Sequence, residues 1–352
     1  MDITPYLKLM VEKDASDLFF TVDAPVKIKL DGRVTSVGKT RLNGELVRQA
    51  AYGIMTEQQI ADFEETLEAD FAIALDDGSA RFRVNVFRQR GEVAMVLRLI
   101  PARIPTLDEL GLPNVLKSLV LKKRGLTLMA GATGSGKSTT LAAMIDHRND
   151  QLPGHILTIE DPIEFYHPNR KSIVNQREVG IDTRSYKHAL RSALREAPDV
   201  ILIGEIRDRQ SMEAAVQLAN TGHLAIATIH ANNASEALDR IVNLFPEELH
   251  KQLFMDLAIT LKAIISQRLV QDVRGKRCAA TEILINTPHI AELILKQELG
   301  TIKEAMADSA AEGMQTFDIA LFNLYREGRI TLEEALNNAD SRTNLEAKVN
   351  FS

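Results

Sequence analysis

Apolar and polar positions alternate through VKIKL-DG-RVTSV, residues 26–37, around an Asp-Gly pair. This pattern predicts a hairpin with a tight turn. A second alternating pair, RFRVNVF and VAMVLRLI joined by RQRGE, predicts another hairpin over residues 81–100. Between them residues 46–67 carry apolar side chains at helical spacing, so the first hundred residues read as a small α/β domain with an antiparallel sheet. Residues 101–113, PARIPTLDELGLP, contain three prolines and read as a linker. Beyond it the pattern changes to continuous apolar runs: GLTLMA at 125–130, HILTIE at 155–160, DVILIGE at 199–205 and HLAIATIH at 223–230. Helical stretches separate them, as in a mostly parallel sheet wrapped by helices. From about residue 246 onward the spacing predicts a mostly helical region.

Composition narrows the class. A chain of 352 residues with 45% apolar side chains supports two cores rather than one. Lys and Arg total 42 against 48 Asp and Glu, a net charge of −6, which argues against a broad nucleic-acid footprint. The single Cys278 forms no intramolecular disulfide and no cysteine-rich zinc site. No run reaches the roughly 18 apolar residues of a membrane span, and the first residues lack the grammar of a secretory leader. The expectation is a cytoplasmic protein that meets a membrane only through partners.

The chemistry starts at GATGSGKS, residues 131–138, which fits G-x-x-x-x-G-K-[ST] directly after an apolar strand and before a helical stretch. Gly131, Gly134 and Gly136 let backbone N–H groups turn inward onto phosphate oxygens, with Thr133, Ser135 and Thr139 in the same loop and helix start. Lys137 reaches the β/γ phosphates of ATP, Ser138 is a ligand for Mg²⁺, and the following helix offers its positive end. Three acids, Glu160, Asp161 and Glu164, follow the second apolar run. Hydrolysis uses one carboxylate on a metal-bound water and another to orient the attacking water, so Glu205 and one of this cluster are candidates to divide that work; solvated loop acids are the bland alternative.

DVILIGEIRD, residues 199–208, poses a problem, because Gly204 stands where a strand of this kind usually ends in a metal-serving Asp. His223 and His230 flank the fourth run seven residues apart, an odd offset that sends them to opposite faces of a strand and excludes a shared two-His metal site. Along 81–87 the alternation places Arg81, Arg83 and Asn85 on one face and Phe82, Val84 and Val86 on the other. That basic face is either ordinary surface or a source of the arginine that phosphoryl transfer needs and that the Gly-rich loop lacks.

Together, ASDLFF, GATGSGKSTT, ILTIEDPIEF, PDVILIGEIRD, TGHLAIATIHANN and GMQTFD resemble the secretion and type IV pilus motor ATPases, the PilT/GspE-like family of RecA-like P-loop proteins. The resemblance covers nearly the whole chain. It implies a PAS-like N-terminal α/β domain over 1–100, the linker at 101–113, and a RecA-like ATPase domain over 114–352 with a helical C-terminal region from about 246. In this family Gly precedes Glu in the Walker B segment, which resolves the Gly204 problem in favour of an active enzyme. Carried onto this chain, Glu205 supports the magnesium site, Glu164 is the catalytic carboxylate and His230 contacts the phosphates. Arg81, Arg83 and Arg98 match arginines that reach nucleotide in a ring of subunits. The implied assembly is a homo-hexamer at an inner-membrane pilus platform protein, with no nucleic acid and no membrane insertion. In length, His-box sequence and the AEGMQTFDIALFNLY tail the chain most resembles the accessory retraction branch of the family, which implies work beside a PilT-like motor. Where self-sufficient retraction motors carry Arg and Asn, this chain has Ala291 and Glu292, so it is not expected to retract pili alone. A nucleic-acid motor and a non-hydrolysing nucleotide sensor are the competing readings.

Overall fold

The computed structural model describes all residues except 31, 76, 79, 101, 102, 310, 312 and 352. The Asp31 half of the expected Asp-Gly turn, the first two residues of the expected linker, and Glu312 before GMQTFD lie outside the described residues. The chain divides into two compact units, Met1–Arg103 and Ile104–Ser352.

The first unit contains α1 (Thr4–Lys13), β1 (Asp17–Phe20), β2 (Lys27–Leu30), β3 (Arg33–Ser36), α2 (Gly44–Tyr52), α3 (Glu57–Thr66), β4 (Glu68–Ala74), β5 (Arg81–Gln89) and β6 (Glu92–Ile100). Its six strands form one sheet in the order β3-β2-β1-β6-β5-β4, antiparallel throughout. Strict alternation in β5 buries Phe82, Val84 and Val86 against Leu18, Phe20, Met95 and Leu97, with Val47 and Ala50 of α2 and Phe63 of α3 in the same core. Both expected hairpins form. The helical stretch at 46–67 is two helices, because the segment after Tyr52 is a turn and Thr56 restarts the chain with a capping box, its hydroxyl accepting from Gln59 N.

The second unit contains α4 (Val115–Val120), β7 (Gly125–Ala130), α5 (Lys137–Gln151), β8 (Gly154–Glu160), β9 (Ser172–Glu178), α6 (Tyr186–Ala193), β10 (Val200–Ile203), α7 (Arg209–Asn220), β11 (Leu224–Ile229), α8 (Ala234–Asn243), α9 (Glu247–Thr260), β12 (Leu261–Gln271), β13 (Arg277–Ile285), α10 (Pro288–Leu295), α11 (Ile302–Ala307), α12 (Phe317–Arg326), α13 (Leu332–Asn338) and α14 (Arg342–Asn350). The seven strands run β13-β12-β7-β11-β10-β8-β9, all parallel except β13. Every residue of β7, β10 and β11 is buried, as befits strands covered on both faces. One face of the sheet packs on Leu190, Met212, Ala215, Leu238 and Leu257, the other on Leu116, Leu119, Leu141 and Met144. Leu107 and Leu112, within the expected linker, are buried in this second core.

The region after residue 246 departs from the expected run of helices. There β12 and β13 form a long antiparallel hairpin, and β12 adds to the parallel sheet beside β7. Only from Pro288 onward is the chain essentially helical, and α12, α13 and α14 pack around Val270 and Ala280 of that hairpin.

Candidate functional site

Strand order creates the site. Because β7, β11, β10 and β8 are successive parallel neighbours, their C-terminal ends lie side by side, and each is followed by a loop carrying polar groups. Ligands in open parallel sheets bind at that edge. The loops after β7, β8, β10 and β11 deliver the Gly-rich segment, Glu160–Glu164, Glu205 and His230 respectively. They enclose a cavity of about 590 Å³ lined by Thr133, Gly134, Gly136, Lys137, Ser138 and Thr139 on one side and Glu164, Glu205, Arg207 and His230 on the other.

The Gly-rich segment turns directly into α5, with Gly136 at the cap in left-handed conformation, φ 85°. The helix therefore points its N-terminal amides at the cavity, and its first turn holds no acid to compete for them. Lys137 Nζ donates to the carbonyls of Gly131 at 2.6 Å and Ala132 at 2.9 Å. Burial lowers the pKa of this ammonium, while the charges of Glu205 and Glu164 oppose that shift. The same two carboxylates that line the cavity thus act electrostatically on Lys137. Gly131 and Ser135 lie beneath the cavity surface, and Ser135 is buried.

The acids separate by role. Glu160 Oε1 accepts from Thr158 Oγ1 at 2.6 Å and from Gln176 Nε2 at 3.2 Å; burial pushes its carboxyl above the usual range against those bonds. Glu164 is exposed to the cavity. Glu205 Oε2 accepts from Arg207 Nε at 2.6 Å, and its Oε1 lies 3.0 Å from His230 Nε2. Asp208, the last acid of DVILIGEIRD, caps α7 by accepting from Ser211 N at 2.8 Å. His223 stays outside the cavity, its Nδ1 within 3.1 Å of Thr221 Oγ1 and of Leu218 O. The two histidines flank β11 and serve different neighbours.

Gly204 has a steric cause. A Cβ there would meet Tyr186 Oη at 2.6 Å, Ile159 O at 3.1 Å and Glu160 Cα at 3.2 Å. The end of β10 passes so close to the end of β8 that a side chain at 204 would crowd Tyr186 and the β8 backbone, and the carboxylate comes one residue later. Gly204 N donates to Ile159 O at 2.8 Å and Gly204 O accepts from the Thr228 hydroxyl, which ties β10 to both neighbours at this point.

Arg81, Arg83 and Arg98 belong to the first unit, whereas all residues lining the cavity belong to the second. Arg83 and Arg98 are register partners on β5 and β6. Arg83 pairs with Asp70 and Arg98 with Asp17, the latter at 2.8 Å. Burial would raise the Asp17 pKa, but hydrogen bonds from Arg98 and Ser16 outweigh it and hold the carboxyl below its usual range. Residues missed by sequence reasoning are Arg207, Arg277 and His167, all at the cavity wall. Arg207 stands two positions after Glu205, a proximity visible in the sequence; Arg277 and His167 need the fold. Burial and the nearby Arg170 lower the His167 pKa to about 4, so its imidazole is neutral at pH 7.

These features define a P-loop nucleotide site on a RecA-like unit. The family model for type II/IV secretion system proteins matches residues 1–347. The chain is 53% identical over 346 residues to the type IV pilus ATPase PilU of Pseudomonas aeruginosa, covering 98% of this chain and 90% of that protein. It is 44% identical to the type IV pilus retraction ATPase PilT of the same organism, covering 96% and 98%. A crystal structure of the pilus retraction motor PilT with bound ADP superposes with a TM-score of 0.92 at 42% identity, over 99% of both chains. The chain belongs to the type II/IV secretion system protein family, and it is an ATPase of that family.

Proposed function

We propose that this chain is the accessory retraction ATPase of a type IV pilus machine. It works as a homo-hexamer in the cytoplasm, beside a PilT-like motor and against an inner-membrane platform protein, and drives pilin disassembly. One observation carries the chemical part: Lys137, Ser138, Glu164, Glu205 and His230 reach one cavity from four adjacent strand ends. The likeness to PilU and PilT carries the cellular part. Residues 1–100 serve as a PAS-like domain, 101–113 as its linker and 114–352 as the ATPase domain.

Lys137 neutralises charge on the β/γ phosphates and the start of α5 holds them. Ser138 and Glu205 are hard oxygen donors suited to Mg²⁺, which prefers a few protein oxygens together with phosphate and water. Ser138 and Glu205 line the same cavity as Lys137, so this sparse oxygen donor set fits an ion that arrives with the nucleotide. Bound Mg²⁺ supplies charge neutralisation at the phosphates. Glu164, exposed to the cavity, orients the attacking water and accepts its proton. His230 holds one oxygen of Glu205 and lies where a hydrolysed phosphate would be sensed. Arg81, Arg83 and Arg98 reach nucleotide of a neighbouring subunit, releasing Asp70 and Asp17 as they do so.

Twitching motility tests the cellular reading in strains lacking this gene, its PilT-like partner, or both. Loss of this gene should weaken retraction while the partner remains. Overproduction of this chain should not restore retraction when the partner is absent, because Ala291 and Glu292 replace the Arg and Asn of self-sufficient motors. Robust twitching in that background refutes the accessory role, and unchanged motility after losing this gene refutes a role in retraction.

A further inference from the structure

The Gly-rich loop is held from below by a side chain 132 residues further along the chain. Gln267 lies on β12, which pairs directly with β7, the strand that feeds the loop. Gln267 is only 2% exposed. Its Nε2 donates to Ser135 O at 2.8 Å, and its Oε1 accepts from Thr140 Oγ1 at 2.8 Å. Thr140 is itself 1% exposed. The amide thus bridges the last turn of the loop and the first turn of α5, spanning the peptide that carries Lys137 and Ser138.

The approach is close enough to impose sequence constraints on the loop. A Cβ at Gly136 would sit 2.8 Å from Gln267 Nε2, and one at Gly131 would sit 2.8 Å from Gln267 O. Gly136 therefore leaves room for the Gln267 amide, whereas Gly131 leaves room for the β12 backbone and for Ser135 Oγ. Two residues along on the same strand, Leu269 lines the phosphate cavity, so this face of β12 forms its wall.

We infer that Gln267 is a positioning residue for nucleotide binding, a buried amide strut that fixes where the loop amides and Lys137 meet the phosphates. An amide satisfies both partners, since its NH2 donates to the Ser135 carbonyl and its oxygen accepts from the Thr140 hydroxyl. A carboxylate would set an oxygen against Ser135 O and add negative charge beneath a site built for anions. An apolar isostere would leave Thr140 and Ser135 unpaired in a buried place, where each unmade bond is costly. The strut also joins the phosphate loop to the β12–β13 hairpin, and through Val270 and Ala280 to the C-terminal helices packed on it.

The inference rests on the nucleotide reading of this cavity and is tested on the full-length protein by titration with MgADP and by steady-state ATPase assays. Gln267→Glu and Thr140→Val should each weaken MgADP binding by about tenfold or more and raise KM more than they lower kcat. Thr140→Ser, which keeps the hydroxyl, should stay within about twofold of wild type. The double variant Gln267→Ala, Thr140→Val should lose scarcely more than Gln267→Ala alone, because the two side chains act as one unit. A merely structural role would lower the melting temperature of the nucleotide-free protein and leave the affinity of the folded fraction intact. Should Gln267→Glu fail to fold, the contrast between Thr140→Val and Thr140→Ser decides the matter on its own. Folded Gln267→Glu or Thr140→Val protein that binds MgADP within twofold of wild type overturns the inference, whereas wild-type protein that fails to bind MgADP overturns the nucleotide reading itself.

Discussion

Substituting Gly204 isolates one geometric cause of the unusual Walker segment. Its backbone φ lies outside the left-handed region, so Gly204→Ala adds no torsional strain and the whole cost is steric. The added methyl would meet the Tyr186 hydroxyl at 2.6 Å and two backbone atoms, Ile159 O and Glu160 Cα, at 3.1 and 3.2 Å. The tyrosine can swing, but the strand end cannot move without carrying the Glu164 loop with it. Overpacking of this kind costs about 1–3 kcal/mol. Loss of glycine entropy in the unfolded chain offsets about 0.4–1 kcal/mol. The net loss centres on ~1.3 kcal/mol, which in a unit of this size lowers Tm by roughly 3–5 °C. Turnover should fall as well, since the displaced strand end changes the distance from Glu205 to Glu164. The assay is urea and thermal denaturation of Gly204→Ala in wild-type and Tyr186→Phe backgrounds, with steady-state ATPase alongside. Removing the hydroxyl eliminates the shortest contact and leaves the two backbone contacts, so the alanine should cost less in the Tyr186→Phe background than in the wild-type one while keeping part of its cost. Gly204→Asp, which supplies the carboxylate usual at this place, should be worse than alanine rather than restorative. A Gly204→Ala protein as stable and active as wild type, or an equal cost in both backgrounds, refutes the steric account.

Two further outcomes follow from the charges. His167 binds its proton with a pKa of about 4 when folded against an ordinary 6.5, so the unfolded chain binds more protons between those values and stability rises with pH across that window. About 3 kcal/mol should be lost as pH falls from about 6.5 to 4, and His167→Gln should flatten that part of a urea-midpoint profile; an unaltered profile refutes it. If Arg83 acts on a neighbour's nucleotide, Arg83→Ala and Lys137→Ala should each be nearly inactive alone, yet co-assembled mixtures should regain ATPase at interfaces pairing an intact Lys137 with an intact Arg83. Verified mixed rings that stay inactive, while mixtures of wild type with either variant turn over, return Arg83 to its role on the surface with Asp70.

The parts legible from sequence are those where local pattern and tertiary role agree. The strands β7, β8, β10 and β11 are continuous apolar runs because helices cover both of their faces, and the Gly-rich loop announces itself by spacing alone. The β12 strand is hidden for a definite reason. Leu261, Ile264, Ile265 and Leu269 fall at i, i+3, i+4 and i+8, a helical template, and no Gly or Pro separates them from α9. Pairing with β7 overrides that local periodicity, and no short window of sequence contains β7. The site divides in the same way. Lys137 and Ser138 are spelled out in eight residues, and Glu205 stands at a strand end. The contact that would crowd a side chain at Gly204 involves Tyr186 and Ile159, and the support from Gln267 comes from a strand that reads locally as helix.

The central claim is that four strand ends assemble a site for ATP hydrolysis in which Glu164 acts on the water and not on the nucleotide. Single-turnover hydrolysis of Mg-ATP by Glu164→Gln, measured together with equilibrium nucleotide binding, tests it most directly. The expected result is nucleotide affinity within about threefold of wild type and a hydrolysis rate lower by about 10²–10⁴-fold, the range for a lost general base. Hydrolysis near the wild-type rate, or binding that falls in step with turnover, contradicts it.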